Sequence, residues 1–192
     1  MTTTTKDQLL ETGMGLLLQR GYNDLGIQAI LKATGTPKGS FYYHFRSKED
    51  FALQAIDRYM AEVHQGLDGA LTDASLTPLE RVRRFFEISR DKYGQDGHLG
   101  CMLGGLGQEM SGISEGFARR IEQCFSEIAG RLAACLAEAR DRGELAADAD
   151  PREMAELLLN CWEGAALRSR LRRDPRPLDD MLDFYFSRAR SA

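Results

Sequence analysis

The segment from Ile27 to Lys48 combines four basic side chains with no carboxylate, so it carries +4. The whole chain carries −4 and the remainder therefore −8, so a polyanion is attracted locally and repelled elsewhere. Gly39 lets the backbone come close to a phosphate or a base edge. The side chains here that offer hydrogen-bond donors or hydroxyl-bearing rings are Lys38, Ser40, Tyr42, Tyr43 and His44. The first chemistry that the sequence indicates is therefore the binding of a phosphate-rich partner.

Two short helices would present these side chains. Apolar residues at helical spacing begin at Ile27, and Gly35 ends that helix because glycine adopts a positive φ without steric cost. A second helix is predicted from Pro37 to His44, since proline suits a first helical turn and Phe41 with Phe45 forms one apolar face. Two short helices joined by a tight glycine turn predict a helix-turn-helix unit, whose second helix can enter the major groove of DNA.

The run TPKGSFYYHFRSKEDF resembles the signature of the TetR-type repressors, and the N-terminal third of the chain fits that pattern without gaps. One departure is Gly26, where many members begin the next helix with a Thr or Ser cap. The resemblance implies that Gln28 and Lys48 flank the DNA contacts made by the second helix of the pair. The residues that match in register are Gly35, Lys38, Gly39, Tyr42, Tyr43, Phe45, Lys48 and Glu49.

Length and composition limit the class of protein. With 192 residues, 43% of them hydrophobic and 28% charged, the chain can form one or two packed units. No apolar run approaches the roughly 18 to 20 residues that span a bilayer, and the start MTTTTKDQ is not a targeting sequence, so a cytoplasmic protein is expected. The four cysteines contain no CxxC pair, so the sequence predicts neither a metal site nor a disulfide framework, and no cofactor.

The apolar periodicity predicts an all-α protein with about nine helices and no strand. We expect a helix-turn-helix domain over residues 1–47 and an effector-binding and dimerisation domain over 48–192. The four glycines between Gly100 and Gly107 weaken a helix, which indicates either close helix packing or room for a ligand. The predicted helices cover 6–20, 27–34, 37–44, 47–67, 78–93, 101–111, 114–142, 151–171 and 178–188.

The last helix is unusually apolar for the end of a chain. The preceding helix carries the small residues Gly164, Ala165 and Ala166, so the two helices together indicate a surface that is buried against a second copy. In the TetR-type resemblance these helices pair into a four-helix bundle, and a dimer can read a palindrome. The alternative is that the last helix folds back on its own domain.

The stretches GCMLGGLGQEM and CWEGAALRSRL resemble the subgroup of TetR-type repressors that respond to acrylate, N-ethylmaleimide and other small electrophiles. The resemblance implies that Cys101 lies beside Arg170, where a cation would stabilise its thiolate. The alternative is that Cys101 is a small buried apolar residue. The other side chains predicted to line the effector pocket are Arg90, Tyr93, Gln108, Glu109, Trp162 and Glu163.

These features predict a homodimeric DNA-binding repressor that a small-molecule inducer releases from a palindromic operator. The inducer would act by reversible binding or by modifying Cys101, and would shift the helix that follows Ser47. One alternative is an enzyme with a Cys101 nucleophile, for which His98 is the only histidine nearby in the sequence. Another is a helical DNA-binding protein without an effector.

Overall fold

The computed structural model describes residues 4–95 and 100–189. Within these ranges it contains nine α-helices and no strand, which confirms the predicted fold class. Two compact units are formed: unit 1 from Met1–Glu62 and Met102–Glu122, and unit 2 from Val63–Cys101 and Gln123–Ala192. These units do not coincide with the predicted domains, because residues 48–62 and 102–122 pack with the N-terminal helices. The functional boundary after residue 47 stays a prediction.

Four helices form the N-terminal part of the chain. A capping box starts α1, because the Thr4 side chain accepts from the Asp7 N–H and the Asp7 carboxylate accepts from the Thr4 N–H. Gly21, at φ 77° and ψ 176°, breaks α1 close to its end. The four helices are α1 Thr5–Asp24, α2 Ile27–Thr34, α3 Lys38–His44 and α4 Lys48–Leu71.

The helix-turn-helix pair has the predicted geometry. Gly35 ends α2 at φ 65° and ψ 19°, and its N–H donates to the carbonyl of Leu31. Gly26 stands at the N-cap of α2 and makes no side-chain capping bond, as expected of a glycine. The turn between α2 and α3 is therefore set by the backbone freedom of Gly35.

Aromatic packing holds α3 in unit 1. The rings of Phe41, Phe45 and Phe51 are almost fully buried, with centroids 5.0 to 5.6 Å apart. A side chain at Gly13 would place its Cβ 2.2 Å from Cζ of Phe51, so α1 approaches this cluster closely. One face of α3 is thereby committed to the core, and the opposite face remains exposed.

The remaining five helices follow the predicted order. The Asp150 side chain caps α8 by accepting from the N–H groups of Arg152 and Glu153, and Pro151 occupies its first turn. Arg173 follows the end of α8 in a left-handed conformation, with φ 52°. The five helices are α5 Pro78–Gln95, α6 Met102–Met110, α7 Glu115–Asp141, α8 Pro151–Arg172 and α9 Arg176–Ala189.

The glycines of α6 are not all explained by close packing. A Cβ at Gly107 would lie 3.7 Å from Cγ2 of Ile121, an ordinary contact, and one at Gly105 would meet no atom within 4 Å. Close helix packing, one of the two explanations considered from the sequence, is therefore not what requires glycine at Gly105 or Gly107.

Among the described residues, none of the helices combines the length and the apolar composition that crossing a bilayer requires.

Candidate nucleic-acid interface and effector site

The exposed face of α3 carries the side chains predicted to touch DNA. Tyr43 is 84% exposed and Tyr42 is 48% exposed, while Phe41, on the core-facing side of α3, is fully buried. The Lys38 ammonium lies 5.9 Å from the centroid of the Tyr42 ring. A side chain at Gly39 would meet no protein atom within 4 Å, so the fold itself does not require glycine there. The face is therefore accessible to an external partner, and its contact with DNA stays a prediction.

The other predicted DNA-contacting residues lie on α2, on α3 and at the start of α4. Gln28 on α2 is exposed, and Ser40 and His44 on α3 are half-buried. At the start of α4 the Lys48 ammonium lies 4.3 Å from the centroid of the Tyr22 ring. Burial lowers the pKa of Lys48, while the charges of Glu109 and Asp24 oppose that shift. All eight predicted DNA-contacting residues belong to unit 1.

In unit 2, Cys101 has a carboxyl group as its partner. The side chain of Cys101 is half-buried and hydrogen-bonds with the side chain of Glu163 on α8. Burial raises the pKa of Glu163 from 4.5 to about 7, and this hydrogen bond opposes the rise. The sequence reasoning named both residues but paired Cys101 with a cation. Because 61 residues separate the two along the chain, no local pattern could have revealed the contact.

Arg170 lies beside the residue that precedes Cys101. A Cβ at Gly100 would be 3.9 Å from both Cβ and Cδ of Arg170, so the aliphatic stem of Arg170 passes this glycine. The Arg170 side chain is exposed. Its predicted role toward the thiol stays a prediction.

Three more predicted pocket residues belong to unit 2. Trp162 is buried at 3% exposure, and its ring packs against Phe86 at 4.9 Å and Tyr93 at 5.7 Å between centroids. The Arg90 guanidinium is bound to the carboxylates of Asp91 and Asp179, which raise its pKa. Trp162 and Tyr93 thus come together, whereas Arg90 is engaged by carboxylates.

Gln108 and Glu109 lie in unit 1. Gln108 is exposed. The carboxylate of Glu109 accepts a hydrogen bond from the N–H of Asn23 at 2.9 Å and lies against Gly21. Its contacts in unit 1 are therefore with the end of α1, which the sequence reasoning did not foresee.

The four cysteines differ in environment, and none forms a disulfide. Cys124 and Cys135 are buried. Burial raises the pKa of Cys135 to about 11, and its thiol donates to the carbonyl of Pro78. Cys161 is exposed. Cys101 is thus distinguished by partial exposure together with a carboxyl partner. His98, weighed as a partner in the enzyme alternative, lies outside the described residues.

Among the described residues, no group of three or more His, Cys, Asp or Glu side chains is arranged to hold a metal ion.

Glu163 should make the stability of the protein depend on pH. Its folded-state pKa is raised, so the folded state binds more protons than the unfolded state between pH 4.5 and about 7. Stability should therefore fall as pH rises through this window, by at most about 3 kcal/mol. Urea denaturation between pH 5.5 and 8.5 would measure this, and Glu163→Gln should flatten the profile. An unchanged profile in the variant would contradict the assignment.

The exposed apolar side chains of α8 and α9 bear on the predicted dimer. Ala165 and Ala166 are buried within the chain, so only Gly164 of the three small residues is exposed. The large apolar side chains exposed on these helices are Leu157, Leu167, Leu171 and Phe184. The helices α8 and α9 therefore pack within their own unit on one face and expose apolar side chains on another.

The fold and the exposed face of α3 define a helix-turn-helix DNA-binding regulator. Residues 9–55 match the family described as "Bacterial regulatory proteins, tetR family", and residues 78–185 match "Tetracyclin repressor-like, C-terminal domain". The chain belongs to the TetR family of transcriptional regulators. Members of this family are dimers that bind DNA operators and small-molecule ligands. They are not enzymes, which argues against the alternative of an enzyme with a Cys101 nucleophile.

Individual relatives cover nearly the whole chain. The transcriptional regulator AcuR of Cereibacter sphaeroides is 40% identical over 171 residues, 88% of this chain and 78% of AcuR. The transcriptional repressor NemR of Escherichia coli is 31% identical over 93% of this chain and 90% of NemR. The crystal structure of reduced NemR is similar to the structure of this chain, with a TM-score of 0.86 over 94% of each chain. The crystal structure of the regulatory protein TetR from Rhodobacter sphaeroides has a TM-score of 0.90 with this chain at 38% sequence identity. The match covers 94% of this chain and 96% of that one. The chain is thus a TetR-type transcriptional repressor.

Proposed function

We propose that this repressor is released from a palindromic operator when a small electrophile reacts with Cys101. The observation that carries the proposal is the hydrogen bond between the half-buried thiol of Cys101 and the carboxyl group of Glu163. The resemblance of GCMLGGLGQEM and CWEGAALRSRL to the electrophile-responsive subgroup also supports the proposal. AcuR and NemR, a transcriptional regulator and a transcriptional repressor, are similar over most of the chain, which supports its role as a regulator.

Glu163 gives the thiol a different activation from the cation first expected. A carboxylate does not stabilise a thiolate, but a base whose pKa is about 7 is ionised in a substantial fraction of molecules at neutral pH. As sulfur bonds to the β-carbon of an alkene conjugated to a carbonyl, the thiol proton passes to the Glu163 carboxylate. The π electrons move toward the carbonyl oxygen, and the proton held by Glu163 then passes to the α-carbon, which restores the carbonyl. The adduct is a thioether and Glu163 is regenerated as a carboxylate.

Operator binding is assigned to the exposed face of α3 and its flanks. We assign base or phosphate contacts to Gln28, Lys38, Gly39, Ser40, Tyr42, Tyr43, His44 and Lys48. Two copies joined through α8 and α9 would present two such faces to successive turns of the major groove. The exposed Leu157, Leu171 and Phe184 support that interface.

The link between effector and DNA is assigned to α4, which contributes residues to both units. Modification of Cys101 would shift α4 and change the separation of the two α3 helices. A coupling free energy of about 1 to 3 kcal/mol would lower operator affinity about 5- to 150-fold.

The test is retention of the purified protein on its own promoter fragment at fixed salt, with and without acrylate or a maleimide, followed by intact mass. Release with a mass increase at Cys101 is expected. Release without an adduct would contradict covalent sensing and favour a reversible pocket, for which Arg170 and Trp162 would be the residues to replace. Equal retention on random DNA, unaffected by either compound, would favour the effector-independent alternative.

A further inference from the structure

Unit 1 contains a carboxylate at the place where α1 breaks. Gly21 has φ 77°, and a Cβ built there would lie 1.9 Å from Oε1 of Glu109 and 2.7 Å from its Cδ. The carboxylate of this α6 residue therefore occupies the space that any other side chain at position 21 would fill. The other carboxylate oxygen, Oε2, accepts from the N–H of Asn23 at 2.9 Å.

The break in α1 explains why an acceptor is needed there. Because Gly21 interrupts the helix, the next turn starts anew and exposes N–H groups without intrahelical partners. A carboxylate that accepts from such a group forms a charge-assisted hydrogen bond, and its charge suits the positive end of a helical turn. Glu109 thus fixes the end of α1, two residues before the loop that leads into α2.

The same carboxylate acts on the residue that follows the helix-turn-helix pair. Burial lowers the pKa of Lys48, and of the two carboxylates that oppose this shift Glu109 contributes more than Asp24. Lys48 begins α4, and its ammonium lies over the ring of Tyr22, directly beside the Gly21 break. Glu109 therefore interacts with residues on both sides of the segment that contains α2 and α3, namely Asn23 before it and Lys48 after it.

Neighbouring contacts tie α4 to the residues after α6. The Ser114 hydroxyl donates to the Glu49 carboxylate at 2.7 Å, and the Arg120 guanidinium donates to that of Asp57 at 2.9 Å. The ring of Phe117 packs edge to face against Tyr22 at 5.3 Å. Together with the contacts of Glu109, these interactions join α1 and α4, which flank α2 and α3, to α6 and the start of α7.

We propose that Glu109 is a positioning residue for operator binding, which holds α2 and α3 in the orientation that specific recognition requires by binding the backbone at the Gly21 break. It touches no DNA. Its action requires DNA binding, which the family provides, and is independent of the electrophile response proposed above.

The experiment compares Glu109→Ala and Glu109→Gln with the wild type on a duplex that the wild-type protein selects from a random library. Fluorescence anisotropy at one salt concentration gives the affinity for this duplex and for random DNA of equal length. Glu109→Ala should lose about ten-fold in affinity for the selected duplex, because a hydrogen bond to a charged group is removed. Affinity for random DNA should not change, since the exposed basic face is intact.

Glu109→Gln keeps an amide oxygen that can accept from Asn23 but loses the charge, so a smaller loss of about three-fold is expected. Glu115→Ala is the matched control, because this carboxylate lies in the same unit, is 90% exposed and forms an ion pair with Arg119 one turn on. It should bind both duplexes as the wild type does.

Thermal unfolding of each variant shows whether it is folded at the assay temperature. If folded Glu109→Ala keeps the wild-type ratio of selected to random affinity, Glu109 is only a stabilising residue and the proposal is overturned. If Glu109→Ala is unfolded, Glu109→Gln decides: wild-type affinity overturns the proposal, and a selective loss supports it. If the wild-type protein binds its operator but is not released by an electrophile, only the earlier proposal is contradicted.

Discussion

Cys101→Ser should bind the operator as tightly as the wild type but no longer release it when treated with a maleimide. A serine hydroxyl can replace the thiol as a hydrogen-bond donor to Glu163, so the folded structure should be preserved. A hydroxyl is a far weaker nucleophile than a thiol at neutral pH, so no adduct should form. Release should fall from about 5- to 150-fold to no measurable change. Filter retention or anisotropy with a fixed excess of reagent measures the effect.

Cys161→Ser is the matched control for this substitution. Cys161 is the exposed cysteine, so it should also react with a maleimide, and intact mass should show one adduct fewer in this variant. Release from the operator should nevertheless remain as in the wild type. If Cys161→Ser abolishes release and Cys101→Ser does not, the sensing thiol has been misassigned.

Tyr43→Ala should weaken operator binding strongly while leaving the folded protein intact. The side chain is 84% exposed, and its ring makes an edge-on contact with His44 at 4.9 Å between centroids. Removal of an exposed side chain usually alters stability by no more than about 0.5 kcal/mol. The loss of a base or phosphate contact by about 1 to 3 kcal/mol, in both halves of a dimer, predicts at least a ten-fold decrease in affinity. Titration of the operator at constant salt measures it.

Phe41→Ala provides the opposite case on the same helix. Phe41 is fully buried and packs against Phe45 and Phe51, so its removal should destabilise the protein by about 3 to 5 kcal/mol. Tyr43→Phe then distinguishes the contribution of the ring to operator affinity from that of the hydroxyl, because it retains the ring and removes the hydroxyl. A Tyr43→Ala protein that binds its operator normally would show that this face of α3 does not make the DNA contacts.

Much of the architecture follows from local sequence. The nine helices begin and end within about four residues of the predicted positions, because their limits depend on caps such as Asp150 and on glycines such as Gly35 and Gly143 at positive φ. The burial of Phe41 and the exposure of Tyr42 and Tyr43 follow in the same way from helical periodicity. These are properties of neighbours along the chain, so the sequence alone determined them, together with the TetR-type identity of the helix-turn-helix segment.

Only the tertiary structure decided which distant side chains meet. Glu163 reaches Cys101 from α8, and Glu109 reaches the end of α1 from α6, over separations of 62 and 86 residues. Periodicity and capping rules carry no information about such pairs, because a contact between two helices depends on how their faces pack and on the rotamers chosen there. The residues were recognisable as chemically capable from the sequence, and packing then determined that Glu163 is the partner of the thiol and that Glu109 serves the DNA-binding unit.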